Sequence, residues 1–172
     1  MDTLVLSLHV LLAAILVGPQ FLLFFAVIPS TWLIEDEGLR RSVTRVVTQR
    51  FGFLSGVSLA GLVLTGMYQL NSSLIDPDVR ENMMDFRFGT IFVTKMTMLL
   101  VLIALIGIHG AVFGRRIRAA SEAVERGEAD PGALEAARRA SMLFSMLILL
   151  TSVAMIFLGV ALGNHMFSFE PR

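Results

Sequence analysis

The stretch "GTIFVTKMTMLLVLIALIGIHG", residues 89–110, decides the fold class. A bilayer core about 30 Å thick takes roughly 20 apolar residues at 1.5 Å rise each, and this run is long enough. Its apolar residues are continuous rather than spaced to cover one face, so a soluble amphipathic helix does not explain it. Two residues resist the environment, Lys95 and His109. Of the 14 lysines and arginines in the chain, Lys95 is the only lysine.

The rest of the 172-residue chain agrees with a membrane reading. It is 55% hydrophobic and 16% charged, with a mean hydropathy of +0.75. Four spans are expected, at 4–28, 51–70, 89–113 and 142–162, forming one all-α membrane domain over 1–172, an integral four-helix bundle. The opening "MDT" carries an acid where a signal peptide would carry bases, so the first span is expected to stay in place. A formal net charge of zero argues against a nucleic-acid partner. With no cysteine, a metal site must draw on His, Met, carboxylate or backbone groups.

Arginine sets the orientation. Arg40, Arg41, Arg45 and Arg50 lie between the first two spans, and Arg115, Arg116, Arg118, Arg126, Arg138 and Arg139 between the last two. The connection between spans two and three mixes Arg80 and Arg87 with Asp76, Asp78, Glu81 and Asp85. Both termini are therefore expected outside, with the Arg-rich connections in the cytoplasm. The segment 36–50 reads as a short amphipathic helix on the cytoplasmic interface, drawn to water and anionic lipid. The segment 114–141 reads as a helical hairpin extending spans three and four, with Gly127 ending one arm and Asp130-Pro131 starting the other. Gly52, Gly56 and Ala60 in span two recur at the spacing that lets helices pack closely in lipid.

Helical spacing sorts the polar residues. Positions 95, 99, 102, 106 and 109 share a face, so Lys95 and His109 look the same way, about 21 Å apart along the axis. His9 and Gln20 share a stripe on the first span, and continuing span four outward places His165 in line with Met155 and Thr151. Polar residues in membrane helices face the interior. With the termini outside, His9, Lys95 and His165 come to a similar depth on the outer side, alongside Met67, Tyr68, Gln69 and Met166. His109 lies toward the cytoplasmic end without an obvious partner. Taken singly, each has an ordinary reading: a lysine that snorkels, or histidines that meet water and headgroups. The shared depth across three helices is what favours a site.

The opening "LHVLLAAILVG" resembles the first helix of the CopD-like (copper resistance D-type) membrane domain. "VLTGMYQL" resembles that family's Thr-Gly segment, and "RFGTIFVTKM" its Gly-then-Lys helix entry. The resemblance spans about Leu8 to Gly110 and implies transmembrane copper handling, with His9 and Lys95 at matching positions. A weaker resemblance is to HemJ-type protoporphyrinogen oxidases, which carry an early His, a later Lys-then-His helix and a b-type haem. This chain reads "GPQFLLFF" where that family has an arginine.

Two chemistries follow for the outer layer. Copper would use His9 and His165 with the soft sulfurs of Met67 and Met166, although Met is also an ordinary filler of apolar helices. Haem b would use His9 and His165 as axial ligands, with Lys95 pairing a propionate. The expected function is a copper-binding or copper-transport membrane protein, with a haem b redox protein as the alternative and a helical subunit of a larger complex as a third reading. Its partners would be the lipid bilayer, the metal or haem, and a periplasmic metal carrier or redox partner. Its location would be the bacterial inner membrane. No hydrolytic triad, phosphate loop or His-Glu metal motif is present.

Overall fold

The computed structural model describes all 172 residues, Met1–Arg172. The chain is all-helical, with turns and loops at 32–36, 71–76 and 126–130, and its one bridge joins Phe86 and Pro171. Helix α1 runs Asp2–Thr31, α2 Glu37–Leu70, α4 Arg87–Glu125 and α5 Pro131–Gly163, and these four are long and apolar enough to cross a membrane. Two short helices stand between and after them, α3 Pro77–Glu81 and α6 His165–Ser168. All four expected spans fall inside the long helices. The chain divides into two compact units, Met1–Ile91 with Val160–Arg172, and Phe92–Gly159.

Burial is inverted relative to a soluble domain. Leu4, Phe25, Phe53, Leu64, Leu100, Leu143, Phe157 and Val160 are all exposed, whereas Ser55, Ser58, Thr65, Thr151 and Ser152 are buried. Three of these hydroxyls are satisfied on their own helices: Thr65 donates to the Gly61 carbonyl at 2.7 Å, Thr151 to Leu147 at 2.8 Å and Ser152 to Ile148 at 2.9 Å, whereas Ser55 Oγ has no hydrogen-bond partner. A small side chain that makes no outward demand lets two helices approach, and lipid covers the apolar faces.

In the first unit α1 and α2 form an antiparallel hairpin. A Cβ on Gly61 would come within 2.7 Å of Leu12 Cδ1, so the Leu12 side chain packs directly on the α2 backbone there. Stepping from the His9–Thr65 contact seven residues along α1 and seven back along α2 leads to Leu16 and Ser58, 4% and 1% exposed. The seam of α2 is therefore Ser55, Ser58 and Thr65. The expected packing face, Gly52, Gly56 and Ala60, is exposed, and nothing lies within 4 Å of a Cβ on either glycine. It runs beside the hydroxyl seam on the same helix, and the hydroxyls take the interior.

The second unit holds the α4–α5 hairpin. Lys95 Nζ lies 3.4 Å from where Gly159 would carry a Cβ, and His109 Nε2 lies 3.5 Å from Ser145 Oγ. Midway between these contacts, the register sets Leu102 opposite Ser152, each 1% exposed. A large residue on α4 thus meets a small one on α5 every two turns.

Both hairpins contain a π turn, Leu23–Val27 in α1 and His109–Phe113 in α4. In α4 the Gly114 N–H reaches back five residues to the His109 carbonyl. The extra residue has a purpose legible in the pattern. The two-turn step from Lys95 through Leu102 and His109 would next bring Arg116 into the seam. With one residue inserted, Arg116 is exposed and Ile117 lies inward, followed by buried Ser121.

The ends of α4 and α5 follow the sequence closely. Gly127, at φ 71°, closes α4 with N–H groups of Gly127 and Glu128 donating to Val124 and Ala123 at 3.0 and 2.9 Å. Pro131 opens α5. The 36–50 segment differs from expectation: Asp36 caps Leu39 N at 2.7 Å, and α2 then runs unbroken for 34 residues. Nothing at Arg50-Phe51 interrupts the hydrogen-bond ladder, so the amphipathic stretch is the first part of α2 and not a separate helix.

The connection between α2 and α4 packs tightly on the start of α4. A Cβ on Gly89 would run into the Met83 carbonyl, so only glycine fits beneath that turn. Arg87 pairs with Glu170 at 2.6 Å and lies over the Phe167 ring, and Phe88 meets Phe169 edge-on at 5.9 Å.

Candidate functional site

His9 is placed by α1 in the first hairpin, half-buried, with Nδ1 2.7 Å from Thr65 Oγ1. Thr65 has one proton, and it goes to the Gly61 carbonyl, which can only accept. The hydroxyl oxygen therefore accepts from His9, and the network assigns the imidazole proton to Nδ1. The neutral ring then carries its lone pair on Nε2. A hydrogen bond at one ring nitrogen that sets the other for ligation is how proteins orient metal-binding histidines.

A clasp at the same end of the hairpin holds the first turn of α1. The Asp2 carboxylate accepts from Tyr68 Oη at 3.0 Å, from Ser73 N at 3.2 Å and from the Ser73 hydroxyl. Tyr68 follows Thr65 by under one turn, so the clasp also holds the part of α2 that faces His9. Nothing about "MDT" suggests this role, because Asp2 and Ser73 are far apart in sequence.

His165 is not an extension of α5. The helix stops at Gly163, Asn164 departs from helical geometry, and His165 begins α6. The Ser168 hydroxyl turns back to donate to the Leu162 carbonyl at 3.1 Å, closing the end of α5. The stripe that put His165 in line with Met155 and Thr151 fails at this break. The exposed imidazole instead stacks flat on Phe169, with centroids 4.4 Å apart, leaving its nitrogens at the stack edge. Met67 is 61% and Met166 94% exposed, so neither sulfur is enclosed by protein. No group of three or more His, Asp or Glu side chains is arranged to hold a metal ion.

In the second unit Lys95 meets Gly159 on the seam face that its spacing predicted. His109, on the same face, sits beside Phe113 and Phe144 with ring centroids at 5.7 and 6.0 Å. Its Nδ1 is buried with no hydrogen-bond partner, and its Nε2 contact to Ser145 is long at 3.5 Å. Sequence reasoning met Thr65 only within the Thr-Gly segment and missed Ser145 and Gly159, the residues opposite each polar group. Their pattern, a small residue every seventh position, is faint without the register of the hairpin. Compared with protein-family models, curated proteins and solved structures, the chain matches none, so its chemistry is read from these residues alone.

Proposed function

We propose that this multi-pass membrane protein binds copper at the outer end of its first hairpin, with His9 as the anchoring ligand. The observation that carries the reading is the Thr65 hydrogen bond, which holds the proton on Nδ1 and puts the ring's lone pair on Nε2. Imidazole and thioether suit copper, and the remaining ligands in this reading are His165, Met67 and Met166. Their exposure fits a site that exchanges its ion with a carrier from outside better than one that encloses it. The arginine distribution supports termini outside and Arg-rich ends in the cytoplasm of a bacterial inner membrane, which sets this site on the outer face.

The same imidazole geometry favours a second reading, axial ligation of a b-type haem by His9, with His165 as the other axial candidate. Haem would supply one-electron redox chemistry. The protein's part is to hold and orient the ring, and the Thr65 bond does that for either occupant.

The test is the purified full-length protein. Copper retained through chelation and lost in His9→Ala supports the copper reading. A Soret band that shifts on reduction and is lost in His9→Ala moves the assignment to haem. A colourless, copper-free protein that is stable only with another chain overturns both and supports the role of a helical subunit.

A further inference from the structure

The two hairpins repeat one plan. In α1, His9 lies seven residues before the buried Leu16, and the π turn begins seven residues after it at Leu23. In α4, Lys95 lies seven before the buried Leu102, and the π turn begins seven after it at His109. One constant shift maps each of the first set onto the second. The facing helices agree: Ser58 and Thr65 of α2 correspond by a single shift to Ser152 and Gly159 of α5. Tandem repeats of this kind are common in helical membrane proteins.

The repeat differs where the polar residues sit. The first hairpin answers His9 with the Thr65 hydroxyl, and the second answers Lys95 with a glycine. An ammonium offers three donors and accepts nothing. Lys95 Nζ has no carboxylate and no hydrogen-bond acceptor within its hairpin; its recorded neighbour is the bare face of Gly159. Its Nζ is level with Gly159, one helical turn before the end of α5 at Gly163. A charged group held among membrane-spanning helices is costly unless it is matched.

We propose that Lys95 over Gly159 is an oxyanion site, the second hairpin's counterpart of the His9–Thr65 position. The missing side chain lets Nζ pack against the α5 backbone at Gly159, and the missing hydroxyl leaves the charge to be answered from outside the hairpin. The ligand is a carboxylate or phosphate that resides in the membrane, from an amphiphilic acid or an anionic lipid headgroup, held by a charge-assisted hydrogen bond. The site rests on Lys95 and Gly159 and is independent of the copper reading.

The experiment is thermal unfolding of the full-length protein in dodecyl maltoside, titrated with oleate, with dioleoyl phosphatidylglycerol, and with uncharged monoolein. At least one anion should raise the midpoint of the wild type above the monoolein response. Oleate identifies a carboxylate ligand and phosphatidylglycerol a lipid phosphate. The surface arginines bind anions in every variant, so the difference between variants is what is read. Lys95→Met and Gly159→Leu should weaken the response by about tenfold in apparent affinity, and Lys95→Arg should retain it. If Lys95→Met gives no folded protein, Gly159→Leu decides, because it keeps the lysine and fills the space. An unchanged response in Gly159→Leu or Lys95→Met, or no response to either anion, overturns the proposal.

Discussion

Thr65 stands between two groups that both approach it at 2.7 Å, the Gly61 carbonyl below and the His9 imidazole opposite. Since the carbonyl takes the hydroxyl proton, the imidazole must donate. Thr65→Val keeps the shape and removes that acceptor. Metal or haem affinity at His9 is expected to fall about 10- to 100-fold. The fold should lose only about 0.6–1.7 kcal/mol, the scale of interhelical hydrogen bonds in membranes. Copper or haem titration of the variant, beside its unfolding curve, separates the two effects. Equal affinity in Thr65→Val and wild type would remove the tautomer argument.

Ser58 and Ser152 are each 1% exposed and lie opposite Leu16 and Leu102 by register. Enlarging either to leucine should destabilise its hairpin by about 1–3 kcal/mol through overpacking. A change at the exposed Leu150, such as Leu150→Val, should stay within about 0.5 kcal/mol. Reversible unfolding in mixed micelles makes the comparison; indistinguishable curves for Ser152→Leu and Leu150→Val would reject the register.

The π turn at His109–Phe113 keeps Ile117 rather than Arg116 in the seam. Deleting Ala111 should restore an α-helical ladder and keep Ile117 in the seam, now seven positions after His109, so trypsin cleavage at Arg126 should stay at the wild-type rate. Inserting an alanine after Ala111 instead moves Arg116 to the seam position, and the hairpin tip should open, with faster cleavage at Arg126. Faster cleavage in the deletion, or wild-type cleavage in the insertion, would mean that the inserted residue does not set the register.

The Asp2 carboxylate holds Tyr68 and Ser73 at the start of α1. Asp2→Ala should raise amide exchange in the first turn of α1 and in Ser73, with little change in overall stability. The α4–α5 hairpin should show unchanged exchange. Exchange rising evenly along the chain would make Asp2 a global rather than a local determinant.

The chain lacks cysteine, which allows its orientation to be mapped with single substitutions. Glu81→Cys in α3 should react with a membrane-impermeant maleimide added to intact cells. Glu122→Cys in α4 should react only after lysis. The opposite pattern would invert the membrane orientation and move His9 to the cytoplasmic side.

Much of this was legible in the residues. The continuous apolar runs gave four spans because a backbone in hydrocarbon must close its own hydrogen bonds, which makes length and composition nearly sufficient. Gly127 and Pro131 marked the turn between α4 and α5 because each acts through its own backbone. Lys95, Leu102 and His109 were placed on one face by spacing alone, and the structure turns that face to Gly159, Ser152 and Ser145. Periodicity failed where the ladder broke: Asn164 took His165 off α5, and the π turn displaced Arg116.

The sequence by itself determined an all-helical chain with four helices able to span a membrane, because both depend on local hydrogen bonding and on the solvent each segment tolerates. The tertiary structure alone decided what each polar residue faces. Small residues are common along all four helices, and a glycine, serine or threonine looks alike in one dimension. Only the antiparallel register distinguishes Thr65, which orients His9, from Gly159, which leaves Lys95 unanswered. Register is a relation between two helices distant in sequence, and neither helix contains it alone.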